Sequence, residues 1–128
     1  MHPDIQQSDY RELTLLGEGG MGKVYRAFDT RLHRTVVIKV INDNLLHKNK
    51  DLVLREAQAL AKVNHPNVMQ VYRVIGDAEN EGGIRLIGEY IDGEALAILQ
   101  KQRVMSLEQK LEILRQICEG CKRFMMCN

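Results

Sequence analysis

Residues 16–25 read Leu-Gly-Glu-Gly-Gly-Met-Gly-Lys-Val-Tyr. Gly17, Gly19 and Gly22 stand in the G-x-G-x-x-G spacing, with Gly20 as an extra glycine and Val24 two places beyond the last. A backbone without Cβ atoms can close its N–H groups over a polyphosphate. Three glycines alone are a weak sign, so the flanking pattern decides. A dinucleotide-binding turn needs a strand before its glycines and a helix after them. Here residues 10–16 and 23–28 both read as strands, which makes the glycine segment the turn of an antiparallel hairpin.

Outward from that hairpin, residues 29–33 form a polar turn and residues 34–41, rich in β-branched side chains, a third strand. Residues 42–50 read as a polar connection. Residues 51–63 switch to helical spacing, with Val53, Leu60 and Val63 able to share a face and Glu56 and Ala57 between them. Asp51 suits the helix start, and His65-Pro66-Asn67 ends the helix because proline disfavours helical geometry in the residue before it. Residues 68–75 and 84–90 read as two further strands around a turn at 77–83. Five strands and one helix in this order predict a small antiparallel α+β unit. After Asp92-Gly93 the pattern turns helical, first over 94–101 and then from Ser106, where Gln109 can complete a capping box. Leu107, Leu111, Leu114, Cys118, Cys121 and Met125 follow at alternating spacings of four and three, a sustained apolar stripe.

Two charges give the glycine segment its meaning. Lys39 sits inside an apolar strand, where a solvated lysine is the ordinary reading, and Glu56 sits on the next helix, where a surface carboxylate is ordinary. Together they complete a series in which a carboxylate can hold an ammonium against the phosphates of a nucleotide. On Gly17 to Tyr25, Val36-Val37-Ile38-Lys39, Arg55-Glu56, His65-Pro66-Asn67-Val68 and Glu89-Tyr90-Ile91-Asp92-Gly93, the chain resembles the N-terminal lobe of a bacterial-type Ser/Thr protein kinase. The resemblance runs from about Tyr10 to Gly120. It implies ATP as ligand, with magnesium in the family, and phosphoryl transfer to protein Ser/Thr. It implies Gly17, Gly19, Gly20 and Gly22 over the phosphates, and Leu16, Val24 and Val37 around adenine. Lys39 would meet the α- and β-phosphates and pair with Glu56, and Glu89 and Ile91 would offer hinge backbone to the adenine edge. Leu60 and Val71 match two members of the packing spine, or are ordinary core. Residues 1–9 are then a tail, 10–93 the lobe and hinge, and 94–128 the helical start of a second lobe.

Two residues depart from the family pattern. Val37 stands where alanine is usual, and its added methyls face the adenine ceiling, where overpacking commonly costs about 1–3 kcal/mol. Gly88 replaces a larger side chain and is expected to leave a gap behind that site. The His-Arg-Asp loop and the Asp-Phe-Gly magnesium motif do not occur in these 128 residues, so neither a catalytic base nor a metal ligand is assigned. The expectation is a chain incompetent in catalysis by itself, with at most weak ATP binding. The alternatives are a non-catalytic, pseudokinase-like interaction module or a truncated gene remnant. The change of character after Gly120 is what a shifted frame or early stop would leave. An uncovered stripe of six side chains, at about 1.5–3 kcal/mol each, represents roughly 9–18 kcal/mol of burial and predicts self-association or a protein partner through 107–125.

Composition narrows the setting. A net charge of +1 gives no reason to expect a nucleic-acid or membrane surface, and no apolar run is long enough to span a bilayer. The start lacks a signal-peptide core, so a cytoplasmic location is expected. The three cysteines, all in the last eleven residues, do not make a disulfide framework. Cys118-x-x-Cys121 lacks the further ligands a structural zinc needs.

Overall fold

The computed structural model describes residues 9–20, 22–76 and 83–127. Its elements are β1 (Tyr10–Gly19), β2 (Gly22–Asp29), β3 (Arg34–Ile41), α1 (Asp43–Lys62), β4 (Val71–Ile75), β5 (Arg85–Glu89), α2 (Leu96–Gln102) and α3 (Leu107–Cys127). The strands form one antiparallel sheet in the order β1-β2-β3-β5-β4. Met21, residues 1–8 of the expected tail and most of the expected turn at 77–83 lie outside the described residues.

Strand periodicity explains the layers. Side chains alternate between the faces of a sheet, and β3 divides its apolar residues accordingly. Val36 and Ile38 are fully buried with Ala27 and Ile87 on one face, under Tyr10, Leu13 and Tyr25. Ile41, on the other face, packs with Ile84 against Val53 and Leu54 of α1. Full burial of an Ile or Val side chain stabilises by about 1.5–3 kcal/mol, so this strand anchors the lobe from both sides. The β2–β3 turn closes on Asp29, whose carboxylate accepts the N–H groups of Arg31 (3.0 Å) and Leu32 (3.1 Å). The Thr30 N–H reaches the Asp9 carbonyl at 2.8 Å, which ties the chain start to the same turn.

Three expectations need correction. The polar connection at 42–50 is helical from Asp43 on. Asn49, with φ −148° and ψ 47°, breaks α1 into two helical pieces, as suits a side chain that competes for backbone hydrogen bonds. β4 starts at Val71 rather than at residue 68, because the Val68 N–H donates to the His65 carbonyl (3.1 Å) and the Asn67 N–H to His65 Nδ1 (3.0 Å). Those donors close a turn around Pro66 and are lost to the ladder. β1, in turn, runs on through the glycines to a Gly19–Gly22 pairing.

The capping box at α3 is formed. The Ser106 N–H donates to Gln109 Oε1 at 3.0 Å and the Gln109 N–H to Ser106 Oγ at 3.2 Å. α3 meets the lobe near its middle, where Asn67 Nδ2 donates to the Gln116 carbonyl at 3.0 Å and Gly120 is buried against Asn67 and Val68. A Cβ on Gly120 would stand 3.1 Å from the Asn67 carbonyl oxygen, so glycine permits this approach. At 100° per residue the apolar stripe points roughly 140° away from Gly120. Leu107 is accordingly 72% exposed, Leu111 56%, Leu114 55% and Met125 75%.

Candidate functional site

The sheet register assembles the glycine turn and the lysine. Gly17 pairs with Val24, Val24 with Lys39, and Lys39 with Leu86, one row across four strands. Directly paired residues point to the same face, so Val24 and Lys39 stand side by side, both half-buried. Val37 lies two residues earlier on that face, also half-buried, and Leu16 is 49% exposed at the β1 bulge. Cβ atoms placed on Gly17, Gly19 or Gly20 would meet nothing within 4 Å. The space above these residues is open, and the protein's own packing does not require them to be glycine.

Gly22 differs from its neighbours. Its φ of +143° disfavours any L side chain, and a Cβ there would collide with the Val40 carbonyl. Motif spacing groups Gly22 with the phosphate-covering glycines. Paired with Ile41 and close against the Val40 carbonyl, it lets the start of β2 lie beside the end of β3.

Lys39 and Glu56 come from adjacent elements but, among the described residues, no ion pair joins them. Glu56 is exposed on the second piece of α1, while Ala57 and Ala59 turn inward. Of the two spine candidates, Val71 is buried and Leu60 half-buried.

At the far edge, the Glu89 N–H donates to the Gln70 carbonyl at 2.8 Å, and the Gln70 N–H donates back to Glu89 Oε2 at 3.1 Å. Glu89 is thereby locked to the start of β4 by both backbone and carboxylate. Ile91, 58% exposed, uses neither backbone group in the chain's described hydrogen bonds. Val37 and Gly88 are direct cross-strand partners. The two departures from the family pattern therefore stand side by side in the sheet. The gap expected at Gly88 is narrowed by the segment that leads into β4. A Cβ there would come 3.0 Å from the Gln70 carbonyl oxygen and 3.5 Å from the Met69 methyl.

Sequence reasoning missed the reverse side of the sheet. There the Arg34 guanidinium lies 3.7 Å over the Tyr72 ring, in a cleft of about 250 Å³ also lined by Asp9, Leu32 and Arg73. Neither residue carries a motif, and their meeting depends on β3 and β4 flanking β5. Among the described residues, no three His, Cys, Asp or Glu side chains gather as a metal site, and Cys118 and Cys121 are exposed free thiols. No helix among the described residues is long and apolar enough to cross a membrane.

The family model of the protein kinase domain matches residues 10–125. That match continues beyond Gly120, where the sequence reading placed the end of the resemblance, and α3 runs unbroken across the same point. The chain is 39% identical over 120 residues to the serine/threonine-protein kinase PknB of Mycobacterium leprae, covering 88% of this chain and 19% of that protein. It is 37% identical over 111 residues to the serine/threonine-protein kinase pkn3 of Myxococcus xanthus, covering 84% of this chain and 20% of that one. The chain thus spans about a fifth of the length of these relatives. The crystal structure of the Mycobacterium tuberculosis PknI kinase domain superposes with a TM-score of 0.79 at 20% identity, over 91% of this chain and 49% of that one. That likeness establishes a shared fold.

Proposed function

The chain belongs to the protein kinase family, and we propose that these 128 residues bind ATP weakly and, alone, transfer no phosphate. The observation that carries this reading is the row Gly17–Val24–Lys39 beneath the open glycine turn. It presents one ammonium, backbone without side chains and an apolar wall on a single face. Gly17, Gly19, Gly20 and Gly22 would cover the phosphates, and Lys39 would hold the α- and β-oxygens. Leu16, Val24 and Val37 would bound the adenine, with the backbone of Ile91 and the carbonyl of Glu89 meeting its edge. Binding is weak in this reading because Lys39 lacks the Glu56 carboxylate that would orient it, and because no residue of the chain is assigned to magnesium. Phosphoryl transfer depends on positioning and charge stabilisation, and these residues supply the cover of such a site without its catalytic base.

Titration with a fluorescent ATP analogue tests the reading. Lys39→Ala should weaken binding about tenfold, the worth of one charge-assisted hydrogen bond lost. Incubation with magnesium-ATP and a generic Ser/Thr substrate should yield no phosphoprotein. Absence of thermal stabilisation at millimolar nucleotide would remove the binding claim, and turnover sensitive to Lys39→Ala would remove the catalytic one.

A further inference from the structure

The ladder between β4 and β5 stops one pair short, and a side chain is the reason. Val71 pairs with Gly88, so the next antiparallel pair in register is Gln70 with Glu89. Two residues hydrogen-bonded across an antiparallel pair exchange both bonds, each N–H going to the other's carbonyl. Here only one of those bonds joins backbone to backbone. The Glu89 N–H donates to the Gln70 carbonyl at 2.8 Å, but the Gln70 N–H donates at 3.1 Å to Oε2 of the Glu89 side chain. The carboxylate thus stands in for the carbonyl of its own residue. It wins the N–H because a hydrogen bond to an ionised acceptor is stronger than one to a neutral carbonyl. Gln70 is held at this place by its own amide, whose Nε2 donates to the Val71 carbonyl at 3.1 Å. The half-buried Glu89 carboxylate enters no ion pair among the described residues, so the Gln70 N–H is what it serves.

The consequence lies at the base edge. Ile91, two residues on and 58% exposed, keeps both backbone groups outside the described hydrogen bonds. A carbonyl at 89 and an N–H at 91 make an acceptor and a donor side by side. They match a 6-aminopurine, whose amino group donates and whose N1 accepts. A 6-oxopurine reverses both roles and would leave both backbone groups unpaired, the kind of mismatch that separates similar ligands most strongly. We infer, on the ATP reading given above, that the Glu89 carboxylate is a positioning group for the base. By taking the Gln70 N–H it keeps the Glu89 carbonyl out of the β4 ladder and open to the 6-amino group of adenine, and so sets the preference for 6-amino over 6-oxo purine nucleotides.

Displacement of a fluorescent ATP analogue by ATP and by ITP, which carries an oxygen in place of the amino group, reads the preference. The unsubstituted chain should bind ATP at least about tenfold more tightly than ITP, the worth of one hydrogen bond. Glu89→Leu, close in size but without an acceptor, should weaken ATP about tenfold and leave ITP within about twofold, because the Gln70 N–H then turns to the carbonyl. Glu89→Ala should do the same without the apolar bulk. Glu89→Gln, whose amide oxygen accepts the same N–H, should regain most of the preference. A role confined to stability would instead lower the affinities for both nucleotides together. NMR follows the hydrogen bond without nucleotide. In the free chain, a scalar coupling across the bond should join the Gln70 amide nitrogen to the side-chain carboxyl carbon of Glu89 and not to its backbone carbonyl carbon. In Glu89→Leu the coupling should pass to the backbone carbonyl carbon at 89. Coupling to that carbon in the unsubstituted chain would overturn the inference, as would a Glu89→Leu or Glu89→Ala variant that keeps the preference for ATP or loses both nucleotides equally. An unsubstituted chain that binds neither nucleotide would overturn the ATP reading and the base preference with it. The coupling in the free chain tells these failures apart, since it reports whether the carboxylate holds Gln70 whatever the chain binds.

Discussion

Gly22 and Gly19 occupy equivalent places in the motif and very different places in the structure. Gly22 holds a positive φ against the Val40 carbonyl, whereas Gly19 faces open space. Gly22→Ala should therefore destabilise the fold by at least ~1–3 kcal/mol, the cost of forcing a side chain into that backbone region. Gly19→Ala should leave the urea midpoint nearly unchanged and act on nucleotide affinity instead. Chemical denaturation of the two variants checks this directly, and equal losses of stability would contradict it. Val37 and Gly88 carry a related lesson. Read along the chain they are two separate departures, but register makes them one cross-strand pair, and the space at Gly88 is taken up by Gln70 and Met69.

At the scale of elements, α3 combines a formed cap, a polar contact with the lobe and an apolar face in water. Its second turn carries Glu112, whose carboxylate accepts hydrogen bonds from Arg115 at 2.7 and 3.0 Å and from Gln116 at 3.1 Å. The Arg115 bonds, followed by the Gln116 bond, hold its pKa down from 4.5 to about 2. A depressed carboxylate contributes stability that is present above its unfolded pKa and is lost as pH falls through the folded value. The Glu112 contribution to α3 should thus decline between pH 4.5 and about 2. A carboxyl-carbon NMR titration should place its midpoint near 2, and Arg115→Ala should return it toward 4.5. A midpoint near 4.5 in the unsubstituted chain would mean that the Arg115 fork does not persist in solution. α1 marks the limit of periodicity as a guide. Its second piece was legible from Val53, Ala57 and Val63, but the first was hidden because residues 43–50 are too polar to show a face.

Across the whole molecule, the sheet packs on the second piece of α1, and α3 meets this lobe both at α1 and at Asn67 and Val68. Ile38, fully buried, should lower stability by about 2–5 kcal/mol when cut to alanine. Leu111→Ala, at a position 56% exposed, should leave the unfolding of the lobe within ~0.5 kcal/mol of the original in the monomer. Thermal unfolding of both variants at low protein concentration distinguishes them, and a large loss from Leu111→Ala would place the stripe inside the cooperative unit. The strands, the capped helix and the kinase family were legible in the chain because alternation, capping chemistry and motif order are local properties. So was the apolar stripe of α3, from its spacings of four and three. Whether Lys39 meets Glu56, which glycines serve the fold, and how Gly88 is closed by Gln70 were not legible there. Those answers depend on where α1 and β4 come to rest against β3 and β5, and they are set by packing between residues far apart in the chain. The glycine-rich hairpin followed from residues 10–28, the glycines together with the strands that flank them, and what lies around it followed from contacts that no local pattern records.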